Sequence, residues 1–104
     1  MRILFKEPLK DAVVREIEDD LTVMQELVGG YIETVKIFNN IDMVVVLNEM
    51  GKIDQLKPNI YCGQDVLVGN IFFIGIDAPE MRGLTDRELE IAKELCSKMD
   101  IRNF

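Results

Sequence analysis

The sequence predicts an α+β domain: a mainly antiparallel sheet of about five to six strands, with a short early helix and a longer carboxyl-terminal helix packed on it. Short apolar and β-branched runs separated by turn residues recur as far as residue 77, and helical periodicity appears only near residues 21–28 and 84–99. The length of 104 residues is that of one domain, so residues 1–104 are predicted to form a single domain. We expect both helices to cover the same face of the sheet.

Two strands are predicted at the start of the chain. In "MRILFKEP", Ile3 and Phe5 share one parity and Pro8 closes the run, which indicates a first strand. The run "AVVREIE", residues 12–18, alternates in the same way and predicts a second strand.

A helix of about two turns is predicted next, in "EDDLTVMQELVGG". Asp19 or Asp20 can accept the first free N–H groups, and Gly29 or Gly30 can adopt the left-handed conformation that closes a helix. A phosphate-binding loop places its glycines before a helix, whereas this pair follows one, so we interpret the pair as a helix stop.

The middle of the chain predicts a meander and a long apolar strand region. "YIETVKIF" and "MVVVLNE" form a predicted hairpin through "NNID", and "IDQL" is expected to continue it as a third segment after Gly51. "KPNIYCGQ" is interpreted as an irregular crossing, and "DVLVGNIFFIGID" as a strand pair or one long bulged strand.

The last helix has the most specific pattern. Thr85 and Glu88 have the spacing of a capping box, and Leu84 and Leu89 that of a hydrophobic staple. An apolar stripe that includes Ala92 predicts that this helix packs on the sheet.

Composition and charge exclude several classes of function. The formal net charge is −7 and the lysines and arginines are spread along the chain, which disfavours direct nucleic-acid binding. No apolar run approaches the ~20 residues of a membrane span, so we expect no membrane partner and a cytoplasmic location. The chain has no histidine, which excludes Cys/His zinc sites and Ser/His or Cys/His nucleophile pairs; no metal or cofactor is expected, and catalysis is disfavoured. Cys62 and Cys96 are interpreted as structural residues.

Three residues near residues 57–65 are the predicted ligand or partner contacts: Asn59, Tyr61 and Asp65. A loop that carries an aromatic residue is a usual place for binding. A small-molecule or catalytic site here would require a concave pocket lined by these three side chains.

The order "ELVGGYIE", "NEMGK", "KPN" and "DVLVGNIFFIG" resembles a family of small domains of unknown function from bacteria and phages or other mobile elements. The resemblance supports a single domain and implies an origin in a phage or other mobile element. Our first hypothesis is a non-enzymatic accessory protein that binds a host or element protein. The acidity allows an inhibitor that occupies a basic nucleic-acid-binding surface of this partner. Two alternatives stay open: the small-molecule or catalytic site near residues 57–65, and a self-associating module that forms a homodimer through a strand edge.

Overall fold

The computed structural model describes all residues, 1–104. Eight strands, two α-helices and a short 3₁₀ helix follow one another in the order β1 (Arg2–Lys6), β2 (Val13–Glu16), α1 (Leu21–Val28), β3 (Ile32–Val35), β4 (Met43–Asn48), β5 (Pro58–Cys62), β6 (Asp65–Val68), β7 (Ile71–Asp77), β8 (Glu80–Arg82), α2 (Asp86–Met99) and the 3₁₀ helix (Ile101–Asn103). The predicted α+β class and its two helices are confirmed.

The main sheet is antiparallel and has six strands. Its order is β2-β1-β7-β4-β3, and β8 pairs with the end of β7. The central strand β7 pairs with β1 through Leu4↔Phe73 and with β4 through Val45↔Phe73. Strands β5 and β6 pair only with each other and form a separate two-stranded hairpin.

The prediction that both helices cover one face is wrong. Alternate residues of β4 and β7 belong to different apolar clusters, because successive side chains of a strand point to opposite faces. Val44 and Phe72 pack with Met24 of α1, whereas Val45 and Phe73 pack with Ala92 of α2 and with Ile60 and Leu67 of the β5–β6 hairpin. The sheet therefore lies between α1 on one face and α2 with the hairpin on the other.

The start and end of α1 and the start of α2 have the caps that the sequence predicts. The Asp20 carboxylate caps α1 by accepting from the Thr22 N–H, and Gly29 ends it in the left-handed conformation at φ 80°. In α2 the capping box of Thr85 and Glu88 is complete. The glycine pair is thus a helix stop, as interpreted from the sequence.

Three predictions about the middle of the chain differ from the structure. "IDQL" lies in turns rather than in a third strand of the meander, and "KPNIYCGQ" contains the regular strand β5. "DVLVGNIFFIGID" is two strands, but β6 turns away to pair with β5, while β7 enters the main sheet. Periodicity could not reveal this exchange of partners, because β6 and β7 are equally apolar.

No helix of the structure has the length and hydropathy needed to cross a membrane.

Candidate functional site

Asn59 lies in the interior of the protein. The pairing of β5 with β6 is irregular between Pro58 and Ile60, and at this bulge both Asn59 and Ile60 are buried. The Asn59 side-chain N–H groups donate to Lys6 O at 2.8 Å and to Gly69 O at 2.7 Å. Asn59 therefore joins the β5–β6 hairpin to the main sheet.

Tyr61 and Asp65 lie on the outside of the same hairpin. The Tyr61 ring is exposed and its centroid is 5.1 Å from that of Phe104. The Asp65 carboxylate pairs with Lys52, and the hydrogen bond from this ammonium holds the pKa of the carboxyl below its usual range. The three predicted contacts thus have separate surroundings, and the structure does not bring them together.

A buried ion pair that sequence reasoning missed joins the two ends of the chain. Lys6 closes β1 and Asp100 follows α2, where Asp100 also bridges to Ile60 of β5. The Lys6 ammonium lies 3.3 Å from Asp100 Oδ2, and the two side chains are 1% and 6% exposed. The Lys6 ammonium also donates to Glu7 O at 3.2 Å. Such burial of a charged pair requires this set of partners, because each ion has lost its water.

Arg102 extends the pair to the surface. Its Nη2 lies 2.6 Å from Asp100 Oδ2 and 2.7 Å from Asp11 Oδ1. Hydrogen bonds from Arg102, and then the nearby Lys6 charge, hold the pKa of the Asp100 carboxyl well below its usual range. The Asp100 carboxylate is therefore saturated with donors and has no free oxygen with which to bind a ligand.

A cavity of about 500 Å³ opens beside this cluster. Its walls include Lys6, Asp100 and Arg102 together with Lys93, Cys96 and Ser97 of α2. Burial raises the pKa of the Cys96 thiol to about 12, so this sulfur is a poor nucleophile. Cys96 is buried and Cys62 half-buried, in agreement with a structural role for both.

A second charge cluster lies at the other end of the sheet. The Arg82 guanidinium makes two bonds to Glu88, at 2.7 Å from Nη1 to Oε1 and 2.9 Å from Nη2 to Oε2, and its Nε lies 3.2 Å from Asp77. The pKa of the Glu88 carboxyl is lowered, chiefly by the Arg82 hydrogen bonds. Gly75 makes room for this fork, since a Cβ there would lie 2.1 Å from Arg82 Nη1.

This end of the sheet gathers exposed carboxylates from four parts of the chain. Arg2 pairs with Glu16, Gly75 pairs with both Met43 and Arg82, and Leu84 N–H donates to Arg2 O. These pairings bring together four segments: the end of β2 with the start of α1 that follows it, the start of β4, the β7–β8 hairpin and the start of α2. We call this region of the sheet the acidic end. Its exposed carboxylates are those of Glu16, Glu18, Asp19, Asp20, Asp42, Asp77, Glu80 and Asp86.

The negative charge of the protein is concentrated there. The cationic groups of the region are the side chains of Arg2, Lys36, Arg82 and Arg87 and the amino-terminal ammonium, which lies 3.5 Å from Glu16. They are fewer than the eight exposed carboxylates and the buried carboxylate of Glu88. At the opposite end, formed by Lys6, the β1–β2 and β4–β5 connections and the chain after α2, acids and bases are equal in number: Glu7, Asp11, Glu49, Asp54 and Asp100 against Lys6, Lys10, Lys52, Lys57 and Arg102. The sequence could not show this separation, because it depends on strand order.

The fold and these charges define a class of protein: a small α+β protein with a two-sided antiparallel sheet and an acidic surface at one end of it. The chain belongs to the family DUF3846, a domain of unknown function, whose family model matches residues 1–97. Comparison with curated proteins and with solved structures gave no match. The resemblance to a family of unknown function is thereby confirmed.

Proposed function

We propose that this protein is a non-enzymatic interaction protein that binds a basic surface of a protein partner through its acidic end. In this proposal the basic surface of the partner otherwise binds nucleic acid, so this protein inhibits nucleic-acid binding by the partner. The proposal also includes an accessory role in a phage or other mobile element, the origin that the resemblance implies.

The observation that carries the proposal is the concentration of exposed carboxylates at one end of the sheet. Helix capping accounts for Asp20 and, through the favourable interaction with a helix start, for Asp86. It does not account for Glu18 and Asp42, which lie just outside strands, or for Glu80, the first residue of β8, and all three are exposed.

The physical basis is electrostatic complementarity between surfaces. Exposed charges steer a partner of opposite sign into position and disfavour partners of the same sign. Because the carboxylates lie at the ends of strands and helices and in the adjoining loops, a flat or concave basic surface can contact several of them at once.

The test compares two variants with the same net charge. The acidic-end variant carries Glu18→Gln, Asp19→Asn, Asp42→Asn and Glu80→Gln. The control variant carries Glu26→Gln, Glu33→Gln, Glu49→Gln and Asp54→Asn, four exposed carboxylates outside the acidic end. Each set changes the formal charge from −7 to −3. Tagged protein, acidic-end variant and control are used to capture partners from a lysate of the natural host, at low and at high salt, with identification by mass spectrometry.

The proposal expects a protein that is captured by the unmodified chain and by the control but lost with the acidic-end variant. Its capture should weaken at high salt, because salt screens exposed charges beyond a Debye length of about 8 Å at 0.15 M. The captured protein should also lose nucleic-acid binding when the unmodified chain is added. Equal capture by both variants, or equal loss from both, would contradict a role for the acidic end.

A further inference from the structure

The edge strand β2 presents one exposed valine on each of its faces. It pairs only with β1, and all four of its residues are exposed. Val13 is 54% exposed and lies on the face that carries α1, since its partner Phe5 packs there. Val14 is 43% exposed and lies on the face that carries α2, since its partner Leu4 packs on that side.

The backbone of this edge has free hydrogen-bonding groups at known positions. Ile17 N–H donates to Met1 O at 2.9 Å, and the Met1 ammonium donates to Ile17 O. Bonded and free residues alternate along an antiparallel edge, so Arg15 and Val13 also bond to β1. The peptide groups of Val14 and Glu16 therefore point away from the sheet.

Neither a bulge nor a proline blocks the approach of another strand. The β1–β2 register runs without a bulge from Arg2↔Glu16 to Phe5↔Val13, and the two charged residues of β2, Arg15 and Glu16, leave Val13 and Val14 next to each other and exposed. The other edge, β3, carries Glu33 and Thr34 at its exposed centre, and its apolar residues Ile32 and Val35 are half-buried. The two edges are therefore unequal, and β2 is the one open to pairing.

We propose that β2 pairs antiparallel with β2 of a second copy of this chain, about a two-fold axis at Val14. Free peptide groups must face free ones, so an even-numbered residue of one strand lies opposite an even-numbered residue of the other. Placing Val14 opposite Val14 of the second copy satisfies this rule and sets Val13 opposite Arg15. The next symmetric register sets Arg15 opposite Arg15, which like-charge repulsion disfavours.

The charge distribution favours the antiparallel arrangement of two copies. Glu16 is the last residue of β2 and lies at the acidic end, whereas Val13 lies at the electrically balanced end. Antiparallel pairing forms one continuous sheet in which the acidic ends of the two copies point in opposite directions along the strands, away from each other. A two-fold pairing of this kind also closes after two copies, whereas pairing of β2 with β3 would continue into a fibre.

The pairing buries the edge of one four-residue strand, which is less than the ~800 Å² per partner of a stable standard interface. A weak, concentration-dependent dimer is therefore expected. The proposal does not depend on the acidic end binding a partner.

Sedimentation velocity of the full chain, from about 10 μM to about 1 mM, tests the proposal, since this range brackets weak dissociation constants. Val14→Lys places two like charges against each other at the axis, whereas the control Thr34→Lys places one on the other edge, at an exposed residue of β3. Val14→Glu carries the opposite charge at the same position, so an equimolar mixture with Val14→Lys places unlike charges against each other at the axis. Melting curves establish that each variant is folded.

The proposal expects a dimer of the unmodified chain that Thr34→Lys retains and that Val14→Lys weakens at least about fivefold. Val14→Lys and Val14→Glu should each sediment mainly as monomers, and an equimolar mixture should recover the dimer. A monomer throughout the concentration range, a dimer unaffected by Val14→Lys, or equal disruption by Thr34→Lys would overturn the proposal.

Discussion

At the acidic end of the sheet the charged side chains lie mostly in water, whereas at the opposite end Lys6 and Asp100 are withdrawn from it. The two arrangements have different consequences. Exposed carboxylates contribute little to stability and are free to meet a partner. Buried charges are costly to separate and so hold the chain after α2 against β1. Charge can thus serve recognition at one end of a small sheet and cohesion at the other.

The largest expected effect comes from removing the buried charge. Asp100→Asn leaves the Lys6 ammonium in the interior without its counter-ion, and we expect a loss of about 3 kcal/mol in the free energy of unfolding. The matched change at the acidic end is Asp86→Asn, which removes an exposed partner of Arg2 and should cost less than about 1 kcal/mol. Urea unfolding measures both variants. Equal losses would abolish the distinction between the two ends.

Acid should weaken the protein through carboxylates at both ends. The folded pKa values of Asp100 and Glu88 lie below those of the unfolded chain, so the unfolded chain binds more protons in acid. Their contribution to stability is full above the ordinary carboxyl pKa of about 4 and is lost as pH falls through the folded values. Melting temperatures across this range should fall less steeply with pH for Asp100→Asn than for the unmodified chain. An unchanged slope would contradict the depressed Asp100 pKa.

A smaller effect is expected where α2 begins, at the acidic end. Thr85→Ala removes the oxygen that accepts from the Glu88 N–H at 3.1 Å, and the loss of such a cap typically costs about 1 kcal/mol. In a chain of this size that corresponds to a fall of about 4–8 °C in Tm. Thr85→Ser retains the hydroxyl and serves as the control in thermal melts. If the two variants melt alike, the cap hydrogen bond does not explain the loss.

The smallest effect should have the opposite sign. The acidic-end variant, with its four neutral substitutions, removes repulsion between exposed carboxylates and should gain stability, by no more than about 0.5 kcal/mol. The gain should appear at low salt and vanish at high salt, because salt screens the same repulsion. Urea unfolding of this variant and of the control variant at two salt concentrations distinguishes a local repulsion from an effect of net charge.

Features within one element were predictable from the sequence. Thr85 with Glu88 predicts a helix start because both partners lie within one turn, and Gly29 predicts a helix end for the same reason. Faces and strand order were not predictable, since Val44 and Val45 are equally apolar and only tertiary packing assigns them to α1 or to α2.

The same limit applies to the candidate site residues, whose surroundings depend on tertiary packing. The sequence around Asn59 resembles a loop, whereas in the structure Asn59 lies at a bulge in β5 and is buried. Lys6 and Asp100 are separated by almost the whole chain, so no motif could connect them. The role of Asn59, Tyr61 and Asp65 in binding stays a prediction.

Strand β7 also has a kinetic consequence. The hairpins β1–β2 and β3–β4 can form from neighbouring segments, but within the sheet they are joined only by β7, which lies between β1 and β4. The inner strands of the two hairpins, β1 and β4, remain unpaired on one edge until β7, residues 71–77, inserts between them. The pairing of β7 with β1 joins residues far apart in the sequence, and such pairings raise the contact order and slow folding. We therefore expect insertion of β7 to be the late, rate-limiting event, and the amide hydrogens of Phe72 and Phe73 to exchange with solvent most slowly.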